Sequence, residues 1–362
     1  MTGELPFIPG LRLSALFFEE LVAPLLSQHL PDVRYIAARL GPGSDVLGFD
    51  TARSMDHGWG PKLDLFLYPD DEPRLTPVVD GLLRTHLPTT IRGYPTNFAP
   101  NEDGGWMMPV EGPPINHGVT ITTLSAWFRS YLGCDPAAGL NIIDWLVIPQ
   151  QRLATIRAGE IFHDPAGELT TLRDRLTYYP HDVWLSLMAA QWRRISQEEP
   201  FMGRCGDVGD ELGSRVIAAR LVHDLMLLCF LQERVYAPYS KWFGTAFSRL
   251  RCAERLGLVL QAALEADTWR ERETHLSRAY TMVAEAHNAL AVTQPLSVEV
   301  RPFYSRPYLV VDAGRIADAL LTMVADERIR ELPPIGAVDQ WSDSTDVREQ
   351  PGILARLCAV YN

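Results

Sequence analysis

The sequence predicts an α+β protein, with a sheet and its helices over residues 1–168 and a mostly α-helical domain over 169–362. Three observations predict it. Short apolar runs with strand character stand at 33–40, 62–68 and 119–123, separated by Gly- and Pro-rich segments. From about 170 to 292, Trp, Leu and Ala instead recur at three-to-four spacing. The 362 residues suffice for two domains of roughly 100–200 each.

Taken in order, Ser14 reads as the N-cap of a first helix whose Leu16, Phe17, Leu21, Val22, Leu25 and Leu26 share a face. Val33–Leu40 reads as a buried strand, and Lys62–Tyr68 as another with Leu63, Leu65 and Leu67 on one face. A helix over 76–87 ends at Pro88. Residues 89–117 read as a long loop, and one of that length in a compact domain points to a lid or substrate wall. A strand at 119–123 and a helix at 124–131 follow. Residues 144–148 and 153–162 have mixed apolar character, and the domain boundary is placed after the turn at 165–168.

In the second half, 213–235 is apolar nearly all round between Leu225 and Leu231 and reads as the central buried helix. Helices at 253–267, 269–293, 314–325 and 350–361 complete the chain, with an extended pair at 298–300 and 308–311.

The composition excludes several classes. Apolar residues make up 47% and the net charge is −12, which argues against a general nucleic-acid or anionic-membrane surface. Such a charge suits a cationic small substrate. The five cysteines are scattered with no Cys-x-x-Cys, the pattern of reduced thiols in a cytoplasm. No secretory leader is legible, and the longest apolar run, Leu225–Leu231, is too short to span a bilayer.

Residues 41–64 hold five glycines, two prolines and four aspartates between two strands. Glycines let backbone N–H groups approach a polyphosphate, and Ser44 adds a hydroxyl. Asp56 follows Ser44 by twelve residues, a spacing that can return a carboxylate to the same phosphates. Carboxylates there suit Mg²⁺. No Gly-Lys-Ser/Thr follows, so this is not a P-loop. Read structurally instead, the glycines make a tight turn and the aspartates cap short helices.

Gly43-Ser44 followed by Ser54-x-Asp56 resembles the signature of the nucleotidyltransferase (polymerase-beta-like) superfamily. The wording Gly-Ser-Asp-Val-Leu-Gly-Phe-Asp at 43–50, then Asp56-His57-Gly58-Trp59-Gly60-Pro61, resembles a bacterial family of unknown function within it, as do Tyr236–Trp242 and Asp343–Asp346. The resemblance implies a nucleotidyltransferase-like mixed sheet. It also implies Mg²⁺-dependent transfer of a nucleoside monophosphate from an NTP, ATP as first choice, to a small-molecule hydroxyl, as in antibiotic-modifying enzymes. Gly43, Ser44 and Asp45 would then bind the nucleotide, Asp56 with His57 or Asp64 would hold the metal, and Asp56 and Lys241 would serve catalysis. The superfamily pattern has acidic-x-acidic where this chain has Asp56-His57-Gly58, and no acid stands in 117–123 for its third carboxylate. That departure leaves a second reading, a catalytically degenerate nucleotide- or ligand-binding protein.

A third reading rests on His223-Asp224 in the central helix, a pair of the type used by helical metal phosphohydrolases. Against it, Arg220 stands at i−4 as a ready ion partner for Asp224. Glu198, Glu199, Asp207, Asp210 and Glu211 form an acidic run that either receives a cationic acceptor or is simply solvated. Asp343–Asp346 reads as an N-cap series for the last helix.

Overall fold

The computed structural model describes residues 6–55, 59–100, 107–112 and 114–361. By its contacts the chain forms two units: residues 1–140 with 152–177, and 141–151 with 178–362. The sequence placed one boundary after 168; the chain passes between units at 140/141, 151/152 and 177/178.

The first unit is built on a four-stranded mixed sheet. Tyr35–Arg39 pairs antiparallel with Leu63–Leu67 on one side and Glu160–His163 on the other, and Val119–Thr122 lies parallel to Leu63–Leu67 at the edge. The Glu160–His163 strand falls in a stretch whose mixed pattern hid it: its residues are only partly buried, so no period-two signal stands out. Leu63–Leu67 is buried at every position, as a strand covered on both faces must be. Leu13, Phe17, Val22 and Leu26 of the N-terminal helical segment join Ala37, Leu65, Val79 and Leu83 in one core.

That segment starts at Gly10, four residues before the expected cap. Ser14 is therefore interior to the helix, and its hydroxyl accepts the Lys62 amide proton at 3.3 Å instead of capping. Phe18–Val22 is a π-helical turn, with Ala23 N–H reaching Phe18 O. Pro24 has no N–H to offer the Glu20 carbonyl, which accounts for the widened turn just before it. The helix expected at 76–87 spans Glu72–His86 and takes Pro73 in its first turn. The loop expected at 89–117 contains two short hairpins, Thr90–Ile91 with Tyr94–Pro95 and Phe98–Pro100 with Met107–Pro109.

The second unit is mostly helical. His181–Glu198, Glu211–Glu233, Trp269–Ala289 and Ala313–Met323 pack through Trp184, Trp192, Leu228, Phe230, Tyr280 and Leu320, all buried. The central helix is where the apolar run placed it. Its partners are fixed by polar groups: Trp184 Nε1 donates to Leu231 O at 2.7 Å, and Gln191 Nε2 donates to Asp224 O at 3.1 Å. Asn141–Gln151 joins this unit because Gln150 N donates to Asp339 and Gln150 Oε1 accepts from Ala237 N at 3.0 Å. Of the extended pair expected at 298–300 and 308–311, the first strand falls later, at Arg301–Pro302, and pairs with Leu309–Val310. A short helix at Thr345–Glu349 precedes the helix expected at 350–361, which runs as Pro351–Leu357 and a 3-10 turn at Cys358–Tyr361. Ser344 is the N-cap position of the first of these but makes no side-chain capping bond.

Candidate functional site

The Gly-rich stretch leaves the end of the Tyr35–Arg39 strand, beside the start of Leu63–Leu67. Gly41 has φ +78° and Gly43 φ +149°, conformations that favour glycine. A β-carbon on Gly43 would lie 1.9 Å from Asp45 Oδ1 and 2.9 Å from Arg39 Nη2. Arg39 shapes this turn. Its Nε and Nη2 donate to Asp45 at 3.1 and 3.3 Å, Nη1 donates to Leu40 O at 2.7 Å and Nη2 to Pro42 O at 2.9 Å. Asp45 thus sits buried against Arg39, and the turn closes with Phe49 N donating to Ser44 O at 2.9 Å. Ser44 is half-buried. Asp50 ties the far end down, accepting from Gly10 N at 2.7 Å and Trp59 Nε1 at 3.1 Å, so a carboxylate meets a helix N-terminus.

Asp64 faces the same turn from the second strand. Its Oδ2 accepts the Leu40 amide proton at 2.9 Å. Burial pushes its carboxyl up, while Arg39, the Leu40 amide, the Trp127 side chain and Lys62 pull it down. Lys62 is pushed down by burial and by Arg39, against Asp45 and Asp64. Two cations and two anions therefore share the strand ends beneath the glycines. Trp127 also packs under Gly41, where a β-carbon would lie 3.2 Å from its Cζ2.

Of the expected residues, the fold brings Gly43, Ser44, Asp45 and Asp64 together around Arg39. Asp56 and His57 lie outside the described residues. Lys241 belongs to the second unit, exposed in the Ser240–Phe247 helix with its ammonium 5.2 Å from the Trp242 ring centroid. Arg39, Lys62 and Trp127 were missed. The legible signal was a lone charge ending one apolar strand and another opening the next, which side-chain periodicity alone passes over.

Among the described residues no three His, Cys, Asp or Glu side chains are grouped to hold a metal ion. Asp64 offers one carboxylate with an oxygen already on a backbone amide, and Asp45 is held by Arg39. Mg²⁺ demands octahedral oxygen ligation. The described donors by themselves do not fit it.

The second unit's His223-Asp224 pair has different partners from those expected. Asp224 is met by Arg194 Nε at 2.9 Å, whereas Arg220 pairs with Glu198. The reason is direction: Arg220 reaches across to the neighbouring helix rather than along its own. His223 stacks on Phe243 with centroids 4.8 Å apart.

A family model described as a domain of unknown function, DUF4037, matches residues 145–243, about a quarter of the chain. That stretch takes in Tyr236–Trp242 but not the Gly-rich loop. The chain also matches the crystal structure of a nucleotidyltransferase-like protein from Exiguobacterium sibiricum 255-15 at 12% identity and a TM-score of 0.29, covering 87% of this chain and 89% of that one. A likeness at that level carries no argument about activity. No curated protein matches. Among the described residues no helix is long and apolar enough to cross a membrane.

Proposed function

We propose that the first unit binds a nucleoside triphosphate at the Gly41–Asp45 turn and that the chain is a magnesium-dependent nucleotidyltransferase. It would pass a nucleoside monophosphate, ATP being the first donor to try, to a small-molecule hydroxyl. The observation supporting this is the turn itself. Its left-handed glycines stand beside buried Arg39, Asp45 and Asp64 and half-buried Lys62, and a glycine-lined turn exposes backbone N–H groups to phosphate. Ser44 supplies a hydroxyl there. Asp56 and His57 are the proposed further metal ligands, with Asp64, and Asp56 and Lys241 the proposed catalytic residues.

A second reading, nucleotide binding without transfer, is favoured by the engagement of Asp45 with Arg39 and of Asp64 with the Leu40 amide. Both readings are tested by thermal unfolding with each NTP, with and without Mg²⁺. A ligand at about 100 times its Kd stabilises the fold by roughly 2.7 kcal/mol. Transfer requires a shift that depends on Mg²⁺ and is lost in Asp56→Asn. Binding alone predicts a shift that survives the substitution. No shift with any nucleotide defeats both.

A further inference from the structure

The helical unit contains a cavity of about 590 Å³, within the roughly 300–1,000 Å³ range of small-molecule sites. Arg194, Arg220, His223, Asp224, Leu227 and Trp341 line it. Asp224 is only 2% exposed, and its two oxygens are treated differently. Oδ1 accepts from Arg194 Nε at 2.9 Å and Gln191 Nε2 at 3.2 Å. Oδ2 is buried and has no hydrogen-bond partner among the described residues. Glu198 repeats the pattern nearby: one oxygen is on Arg220, and Oε2 is buried without a partner. Burial pushes the Glu198 carboxyl up, and Asp224 raises it further against Arg220 and Arg194.

A carboxylate is an acceptor on both oxygens, and leaving one unfilled in a buried place is costly. The two arginines balance the two charges without filling all the acceptors. Asp339 and Asp343 add further acid to the same wall, with Asp339 taken up by Arg348 and the Gln150 amide. The remaining demand is for a donor, and a carboxylate is met best by a charged one. Leu227, Trp341 and His223 offer apolar and aromatic surface to whatever carries that donor.

We propose that this cavity binds a small organic cation through a primary ammonium group that pairs with the Asp224 carboxylate. The inference rests on the cavity alone and stands whether or not the first unit handles nucleotides.

The probe is 1,4-diaminobutane, titrated calorimetrically into the full chain at fixed ionic strength, with 1,4-butanediol as its neutral match. Saturable one-site binding of the diamine is expected, with the diol weaker by about tenfold or more. Asp224→Asn keeps the shape and removes the charge, and should weaken the diamine by a similar factor. Ala219→Trp fills the cavity from an exposed position and should abolish binding with the fold intact. Should Asp224→Asn fail to fold, Ala219→Trp decides alone. Equal binding of diol and diamine, binding unweakened by Asp224→Asn, binding that survives Ala219→Trp, or no saturable binding at all overturns the proposal.

Discussion

Arg39 grips Asp45 through two donors, Nε at 3.1 Å and Nη2 at 3.3 Å, and both side chains are buried. A buried pair of this kind says little about net stability when intact but a great deal when one member is removed. Arg39→Ala strands the Asp45 charge and should destabilise the chain by about 3–5 kcal/mol. Chemical denaturation measures this. A loss below about 1 kcal/mol would mean that water already reaches the pair.

Gly43 and Gly48 make a contrasting pair of substitutions in the same loop. A β-carbon on Gly43 collides with Asp45 and Arg39, whereas at Gly48, φ +65°, nothing lies within 4 Å. Gly43→Ala should cost about 1–3 kcal/mol or displace the turn, and with it any nucleotide-induced rise in melting temperature. Gly48→Asn should be nearly silent, since Asn tolerates the left-handed region. Equal effects from the two would show that the loop adapts freely.

Two buried groups of the helical unit set opposing pH dependences. Glu199 accepts from Val311 N at 2.9 Å and Ala313 N at 3.1 Å, yet burial pushes its pKa up to about 7. Its folded form holds a proton that the unfolded chain releases near the usual 4.5, so stability falls as pH rises from about 4.5 to 7. Burial pushes His287 down to about 4, so between there and about 6.5 the unfolded chain takes up the proton and stability rises with pH. Over the shared window the two largely offset. Glu199→Gln should therefore unmask a rising slope, and His287→Phe a falling one, in denaturation series from pH 4.5 to 7. Parallel shifts without a change of slope would count against both assignments.

Lys241 is exposed on its helix, so Lys241→Ala should change stability by less than about 0.5 kcal/mol. If it assists the nucleotide, the same variant should shrink the thermal shift produced by NTP. An unchanged shift removes it from the site.

Much of the fold was legible because local chemistry and burial agree there. Leu63, Leu65 and Leu67 are all buried, and so, apart from Met226, is the apolar run Leu225–Leu231 of the central helix. Legibility failed where a long-range contact outweighed a local preference. Ser14 has the chemistry of a cap, but its hydroxyl meets Lys62 N, 48 residues away in sequence. Glu160–His163 becomes a strand because Tyr35–Arg39 presents a free edge to it, and nothing in its own four residues says so. At the candidate site the glycines and aspartates were visible. The cations under them were not, because one Arg and one Lys at strand ends look like ordinary punctuation.

The strand order carries a consequence for the chain as it is made. Tyr35–Arg39 lies inside the sheet, flanked by a strand that follows it closely and by Glu160–His163, which is synthesised more than a hundred residues later. At ~5–20 residues per second the nascent polypeptide carries an open strand edge for on the order of ten seconds. During translation that edge is the place where a chaperone would help most, or a neighbouring nascent chain do harm.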